Sequence, residues 1–197
     1  MSVRNSNSNH KSTPSVTWPI NKFLYELSSL KPVPGGGSAA ALAGTLGCGV
    51  GSMVCRILIA RRKMGSTSRR KTSSSLRDLE QLSRKLSGLV REDAVAYDQL
   101  VEAFHRKNGL ARAKERAIRT PLEIGEAAVR AVRRMASLGQ LAGPYLTSDL
   151  KAGQALLEGA FLAASAMVEV NLQFFGLPLK SRAYRKRLTL LKRRISE

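Results

Sequence analysis

Cysteine, histidine, aromatic and acidic residues are all scarce in this chain of 197 residues. Its two cysteines, Cys48 and Cys55, lie seven positions apart in one predicted helix, which is too far for a disulfide and the wrong spacing for a pair of metal ligands. The two histidines form no motif with serine and aspartate. The sequence therefore predicts no metal or cofactor site and no serine-type triad, and it favours a reducing compartment.

Aromatic residues make up 5% of the chain and β-branched runs are rare, whereas long segments are rich in Ala, Leu, Arg, Glu and Gln. This composition favours an all-α fold. With 43% hydrophobic residues, the chain has material for one domain with one core. We expect a single-domain, up-and-down helical bundle.

The start of the chain has no apolar stretch of the kind that a secretory signal requires. Residues 1–16 are polar and are expected to form a disordered leader before a helical domain at residues 17–176. An uncharged stretch at residues 35–55 is long enough to cross a membrane, but Gly, Ala and Ser dominate it. We therefore expect a cytoplasmic protein without a membrane span.

Positive charge is in large excess, with 33 Lys and Arg against 14 Asp and Glu and a net charge of +19. The basic residues cluster at positions 61–71 and in a basic C-terminal helix at residues 177–197. Such an excess attracts polyanions, namely nucleic acid, an anionic membrane or the anionic tail of a small molecule. No aromatic interleaving or known nucleic-acid motif accompanies the clusters.

Within the stretch Lys31–Ala43, a loop with two prolines and three glycines changes abruptly at Ser38 into a helix of small residues that ends near Lys63. The backbone N–H groups of Gly35, Gly36 and Gly37, together with Ser38, lie where that helix starts. Unobstructed amides at a helix N-terminus bind carboxylates, phosphates or polar heterocycles. The alternative interpretation is a tight turn without a ligand.

Asp93 interrupts the apolar stripe of a long helix that the periodicity predicts from Ser73 to Lys107. It lies one turn from Leu89 and from Tyr97, at a position where a leucine is expected. Burial of a carboxyl group raises its pKa and prepares it for acid–base chemistry. An ion pair with one of the many arginines is the alternative.

The remaining segments complete the helical pattern. We expect a flexible connector at Met64–Thr72, a helix at Leu110–Leu138 bent at Pro121, and a loop at Leu138–Thr147. Ser148 is expected to cap a further, nearly all-apolar helix that ends before Pro178, and a basic helix follows at Ser181–Ile195. Asn171 is predicted to be a buried polar group in the apolar helix, where its simplest role is a hydrogen bond between helices.

Several motifs resemble, in order and spacing, those of the family of formiminotransferase-cyclodeaminases and methenyltetrahydrofolate cyclohydrolases. The glycine triplet in its flanks is the most specific of them. They are Phe23-Leu24-x-Glu26-Leu27, Pro32-x-Pro34-Gly35-Gly36-Gly37-Ser38-x-Ala40-Ala41, Asp93-Ala94-x-Ala96-Tyr97, Pro121-Leu122, Ser148-Asp149-Leu150 and Val170-Asn171. Two departures occur: the family's Gly-Asn before Ser-Asp has no equivalent, and Met167 stands where the family motif has its first Asn.

The resemblance implies a homodimeric helical bundle with a folate pocket at or near the subunit interface. It implies that Asp93 is the catalytic acid or base, that Gly35, Gly36, Gly37 and Ser38 hold a polar part of the substrate, and that Asp149 and Asn171 line the pocket. Arg61 and Arg62 would attract the glutamate tail of a tetrahydrofolate derivative, which can be polyglutamylated. Cyclohydrolase and cyclodeaminase chemistry remain equal alternatives. The competing hypothesis is a non-catalytic basic helical protein that binds nucleic acid or an anionic partner through its tail.

Overall fold

The computed structural model of the chain describes residues 13–175 and 178–196, so most of the expected leader lies outside the described residues. The fold is all-helical, as predicted, and no strand occurs in the described part of the chain. The described residues form six helices, namely α1 (Ile20–Leu27), α2 (Gly36–Ala60), α3 (Ser66–Arg106), α4 (Leu110–Ala136), α5 (Gly139–Phe175) and α6 (Pro178–Ser196).

Helices α2 to α5 form an antiparallel four-helix arrangement. In cross-section each packs against its two neighbours in the order α2, α3, α4, α5 and back to α2, so that α4 lies diagonally opposite α2. The connections between successive helices are short, which makes sequential helices antiparallel neighbours. The predicted up-and-down connection is therefore observed.

Small residues let α2 approach α3 and α5 closely. A Cβ atom added at Gly44 would lie 3.1 Å from the Leu86 side chain of α3. One added at Gly47 would lie 2.8 Å from the Gly153 carbonyl oxygen of α5. Helix α2 is thus at the centre of the packing because its glycines leave room for two partners. Its two cysteines are free and buried, and burial raises the pKa of Cys48 to about 12.

Helix α6 packs on the outside of α4 and α5. Leu188 and Leu191 are buried beneath it. Ion pairs at 2.7 Å join its basic residues to the bundle, namely Lys180 to Glu115, Arg187 to Glu126 and Lys192 to Glu169. The basic C-terminal segment is thus docked on the bundle, and its helix begins at Pro178 rather than at Ser181.

The predicted connector at Met64–Thr72 is wrong, because α3 already begins at Ser66. The Arg69 guanidinium donates hydrogen bonds to the carbonyl oxygens of Ile59 and Arg61 at the end of α2. The Thr72 hydroxyl is buried and donates to the Ser68 carbonyl oxygen at 2.9 Å. The Thr72 bond lies within α3, whereas the contacts of Arg69 with α2 are tertiary and outweigh the weak helix propensity of the Gly, Ser and Thr residues in this segment.

The loop at Leu138–Thr147 and the cap at Ser148 are also wrong. Helix α5 extends from Gly139, and only Gly143 interrupts its backbone, with φ 67° and ψ 176°. Positive φ favours glycine, and Pro144 then occupies the first position of the resumed helix, where a missing N–H costs nothing. Helix α4 likewise continues through Pro121.

An apolar face remains exposed where α2 and α5 adjoin. Leu46, Met53 and Ile57 point outward from α2, and Leu156 and Val170 do so from α5. Leu156 lies over Gly47, so the two stripes meet at this point. We call these five residues and the small residues between them the α2/α5 face. Both helices are long and apolar enough to cross a membrane by length and composition alone, but each also packs one side into the bundle.

Candidate functional site

The carboxylate of Asp93 lies against the first turn of α2. A Cβ atom added at Gly37 would lie 2.0 Å from Asp93 Oδ1 and 2.4 Å from its Cγ. Such distances exclude any side chain at position 37 while the carboxylate stays in place. Position 37 must therefore be glycine because the Asp93 carboxylate occupies the space of a side chain. This requirement is more specific than that of a tight turn.

Ser38 joins α2 to α3 through its hydroxyl group. Its Oγ lies 3.0 Å from the Val90 carbonyl oxygen and 3.0 Å from Asp93 Oδ2. The residue is fully buried. A serine hydroxyl has a single proton to donate, so it cannot donate fully to both oxygens at once. It can satisfy both oxygens when Asp93 is protonated, since the carboxylic acid then donates to Oγ while Oγ donates to Val90.

Burial raises the pKa of Asp93 above the ordinary value of an aspartate. The hydroxyl and backbone amide of Ser38 oppose this shift, because they donate to the ionised form, but the desolvation effect is larger. No lysine or arginine of residues 13–175 and 178–196 forms an ion pair with Asp93. The alternative of a structural ion pair is therefore not observed.

Two further residues lie at this end of the bundle, which we call the Asp93 end. Asn171 of α5 is half-buried, and its Nδ2 donates to the Ala117 carbonyl oxygen of α4 at 2.8 Å. That carbonyl is the one that Pro121 leaves without its helical partner, because proline has no N–H. Asn171 thus replaces the missing hydrogen bond. Met167 lies beside Gly36, with its Sδ 3.9 Å from a Cβ added there.

Arg61, Arg62 and Asp149 lie at the opposite end of the bundle. Helix α2 has 25 residues and is therefore about 37 Å long, and it separates Arg61 from Gly36. The Arg61 guanidinium donates to the carbonyl oxygens of Leu141 and Ala142 at 3.0 and 3.1 Å. Arg62 is exposed and Asp149 is half-buried. A single chain thus brings Gly35, Gly36, Gly37, Ser38, Asp93 and Asn171 to one end and these three residues to the other.

A cavity of about 670 Å³ opens between α3 and α4 near their connecting turn. Gln99, Arg106 and Arg112 are among its lining residues. Asp93 does not line it, because Asp93 points from α3 towards α2, whereas Gln99 points towards α4. We therefore assign the candidate site to the Asp93 end and not to this cavity.

The part of the chain that the structure describes contains no cluster of three or more His, Cys, Asp or Glu residues that could hold a metal ion. The polar groups at the Asp93 end are instead a carboxyl group of raised pKa, a buried hydroxyl group and the first amides of α2. These groups can exchange a proton and bind a polar ligand.

Comparison with known proteins identifies the family. The model of the family described as formiminotransferase-cyclodeaminase matches residues 19–188. A methenyltetrahydrofolate cyclohydrolase of Methylorubrum extorquens is 29% identical over 167 residues, which cover 80% of each chain. A formimidoyltransferase-cyclodeaminase of Gallus gallus is 28% identical over 173 residues, but this chain spans only 31% of that relative's length.

A solved structure has the same fold. It is the formiminotetrahydrofolate cyclodeaminase of Thermotoga maritima, with a TM-score of 0.86, 19% identity and 91% of each chain covered. The similarity thus includes both the helical arrangement and the segments that form the Asp93 end. The chain belongs to the formiminotransferase-cyclodeaminase family.

Proposed function

We propose that this protein is a folate one-carbon enzyme that acts on the amidine-like carbon of methenyltetrahydrofolate or formiminotetrahydrofolate, with Asp93 as its general acid and base. The contact of the Asp93 carboxyl group with Gly37 and Ser38 carries the proposal, in a chain of this family. The folate derivative is the substrate, and the proposal needs no cofactor or metal.

Both reactions pass through a tetrahedral carbon. In the cyclohydrolase reaction, water adds to the methenyl carbon and loses a proton to a base, and a carbon–nitrogen bond then breaks as an acid protonates the leaving nitrogen. In the cyclodeaminase reaction, the substrate's free secondary amine adds to the formimino carbon and loses its proton to a base, which closes a new ring, and protonation of the formimino nitrogen lets ammonia leave. One carboxyl group that both accepts and returns a proton serves either sequence.

The surroundings of Asp93 suit this double role. Its raised pKa brings proton exchange closer to neutral pH than for an exposed aspartate. The Ser38 hydroxyl hydrogen-bonds to either form of the carboxyl group, as a donor to the carboxylate or as an acceptor from the acid. Gly35, Gly36 and Gly37 offer unobstructed amides for a polar part of the substrate. Asn171 hydrogen-bonds to the backbone of α4 at this end, and we propose that it also lines the substrate pocket.

We further propose that the working form is a cytoplasmic homodimer whose α2/α5 faces pack together. Exposed apolar side chains that lie together on adjoining helices are typical of a surface that packs against another protein. A two-fold axis perpendicular to α2 would set the N-terminus of one α2 beside the C-terminus of the other. Each Asp93 would then be close to Asp149 and Arg62 of the second copy. Arg62 is the better candidate for the anionic glutamate tail, because Arg61 already binds two carbonyl oxygens.

The activity is tested by following methenyltetrahydrofolate through its near-ultraviolet absorbance, with formiminotetrahydrofolate as the second substrate. Asp93→Asn removes the titratable proton with little change of shape and is expected to abolish turnover. Asp98→Asn is the matched control, since Asp98 is an exposed aspartate of the same helix. Absence of turnover of both substrates by the folded wild type would refute the proposed activity. Equal loss in the two variants would remove Asp93 from the chemistry.

The composite site is tested by mixing subunits. Asp93→Asn and Asp149→Asn each impair both sites of a homodimer, but a mixed dimer would contain one site with neither change. Co-expression of equal amounts is expected to restore about a quarter of wild-type activity, because half of the dimers are mixed and each has one intact site. Two inactive variants that stay inactive when mixed would place all the essential residues in one chain.

A further inference from the structure

A second concave surface lies on the far side of the molecule, over α4. Two adjoining cavities of about 140 and 350 Å³ share Arg130 and Arg133 and form one groove between α3, α4 and α6. Its walls carry six basic side chains, and we call this surface the basic groove: Lys85, Arg130, Arg133, Arg134, Arg187 and Arg194.

The charges of the basic groove are only partly balanced. Among the described residues that line it, Glu126 is the one acidic residue, and it pairs with Arg187 at 2.7 Å. Lys85 pairs with Glu123 at 3.4 Å and Arg134 with Asp78 at 2.8 Å.

Three arginines of the basic groove have no acidic ion-pair partner among the described residues. Arg130, Arg133 and Arg194 form no ion pair with any carboxylate of residues 13–175 and 178–196. Like charges gathered in a groove repel one another unless an anion from outside neutralises them. The groove therefore has the electrostatic character of an anion-binding surface.

This surface is separate from the proposed folate site. Asp93 faces α2, whereas the basic groove lies on α4, diagonally opposite α2 in the bundle. The α2/α5 face, on which a second copy would pack, leaves the groove uncovered. A ligand of the groove would therefore bind without displacing substrate or subunit.

Arginine, which supplies all but one of these cations, recognises phosphate through two parallel hydrogen bonds. Arg130 and Arg133 lie on one face of α4, while Arg187 and Arg194 are two turns apart on α6. Successive phosphates along a chain fit two such rows better than a single small anion does. The spacing therefore favours a polymer of phosphates.

Two observations limit which kind of phosphate polymer or anionic surface the groove can bind. No aromatic side chain lines the groove in the described part of the chain, so unpaired bases would find no stacking partner of the kind that favours single strands. Leu188 and Leu191 of α6 are buried, and Leu190 is the one exposed large apolar residue among the described side chains of α6, so these side chains form no continuous apolar face with which to enter a membrane.

We propose that the basic groove binds the phosphate backbone of a nucleic-acid duplex without reading its sequence, as a function additional to the folate chemistry.

The test measures binding of a fluorescent 20-base-pair duplex by anisotropy at several salt concentrations. The variant Arg130→Gln/Arg133→Gln/Arg194→Gln is expected to lose at least about tenfold in affinity. Its plot of log K against log salt should be shallower by about 2.7, since each lost phosphate contact removes about 0.9. Each single substitution should lower the slope by about 0.9, so the result does not depend on the triple variant alone.

A control variant removes the same charge elsewhere. Lys63→Gln/Arg70→Gln/Lys71→Gln alters three exposed residues that do not line the groove. It should lower the slope by less than about 1. Helical circular dichroism verifies that all variants are folded.

Four results would overturn the proposal. Equal effects of the two triple variants would mean that diffuse charge is responsible. Binding to a single strand of equal charge more than tenfold tighter than to the duplex would require a stacking site elsewhere. Groove-dependent binding to vesicles with anionic lipids, without binding to the duplex, would identify a membrane surface as the partner. A second duplex of the same length but unrelated sequence should bind with the same affinity as the first. A large difference between the two affinities would also contradict the proposal.

Discussion

Asn171 and Pro121 are expected to be energetically coupled, although they belong to different helices. Pro121 cannot donate to the Ala117 carbonyl oxygen four residues earlier, and Asn171 Nδ2 supplies that hydrogen bond at 2.8 Å. Asn171→Leu keeps the size of the side chain but removes the donor. It should lower the free energy of unfolding by about 1–3 kcal/mol, the usual effect of leaving a buried polar group unpaired.

The same substitution should cost much less in a Pro121→Ala background. Alanine restores the backbone N–H that bonds to the Ala117 carbonyl, so loss of the Asn171 amide no longer leaves that oxygen alone. The four proteins form a double-mutant cycle whose coupling energy should be about 1–2 kcal/mol. In thermal unfolding, a change of 1 kcal/mol corresponds to a Tm shift of about 2–4 °C for a chain of this size.

Urea unfolding at one fixed protein concentration measures all four free energies, because any association of subunits adds a concentration-dependent contribution. Pro121→Ala alone serves as the control for tolerance of alanine within α4. The coupling is refuted if Asn171→Leu costs the same in both backgrounds to within about 0.5 kcal/mol. Asn171 would then stabilise the fold through packing and not through this carbonyl.

Three further predictions concern the Asp93 end. Gly37→Ala should destabilise the protein by about 1–3 kcal/mol and abolish activity, because the new methyl group would overlap the Asp93 carboxylate. The control is Gly88→Ala, in open space on α3, which should be neutral or stabilising by up to about 1 kcal/mol. Equal effects of the two substitutions on the free energy of urea unfolding would contradict this prediction. Asp93→Asn should raise the Tm at pH 8 but not near pH 4. Because the pKa of Asp93 is raised in the folded state, the wild type loses stability as the pH rises from the pKa of the unfolded state through that of the folded state. A Tm difference between the two proteins that does not depend on pH would disprove this prediction. Ser38→Ala removes the hydroxyl donor that lowers the pKa of Asp93 and keeps the backbone amide, so the limb of the pH–rate profile that reports Asp93 should move to higher pH. A shift to lower pH would contradict this role of the hydroxyl group.

Helical periodicity was sufficient to predict which residue of α3 is exceptional, because a carboxylate in an apolar stripe is visible in the sequence itself. The partner of Asp93 was not predictable by periodicity. Its contact with Gly37 depends on how far α2 and α3 slide along each other, and that offset is set by Gly44 against Leu86 and by the rest of the helix packing.

The errors in the helix boundaries have a common cause. Ser66–Thr72 and Gly139–Ala142, which the sequence predicts as a connector and part of a loop, are held in helices by contacts with other elements. Arg69 binds the last carbonyls of α2, and Arg61 binds carbonyls of α5. Propensity is a local quantity, so it cannot include hydrogen bonds that form only after the bundle is assembled.

The functional assignments of charged residues were the least predictable part of the site. Arg61 and Arg62 follow the glycine loop by about 25 positions, yet one helix separates the two ends completely. The basic groove was equally hidden, since its cations come from three helices that are distant in the chain.

The contact between Gly37 and Asp93 also limits the order in which this chain can change during evolution. While Asp93 is present, every substitution at position 37 adds a Cβ atom where the carboxylate lies. A lineage that first lost Asp93 would be free to fill the space, and once it had done so, a reversion at position 93 alone would no longer fit. Loss of the carboxylate followed by loss of the glycine is thus a sequence of substitutions that a single reversion at position 93 cannot undo. This chain retains both residues.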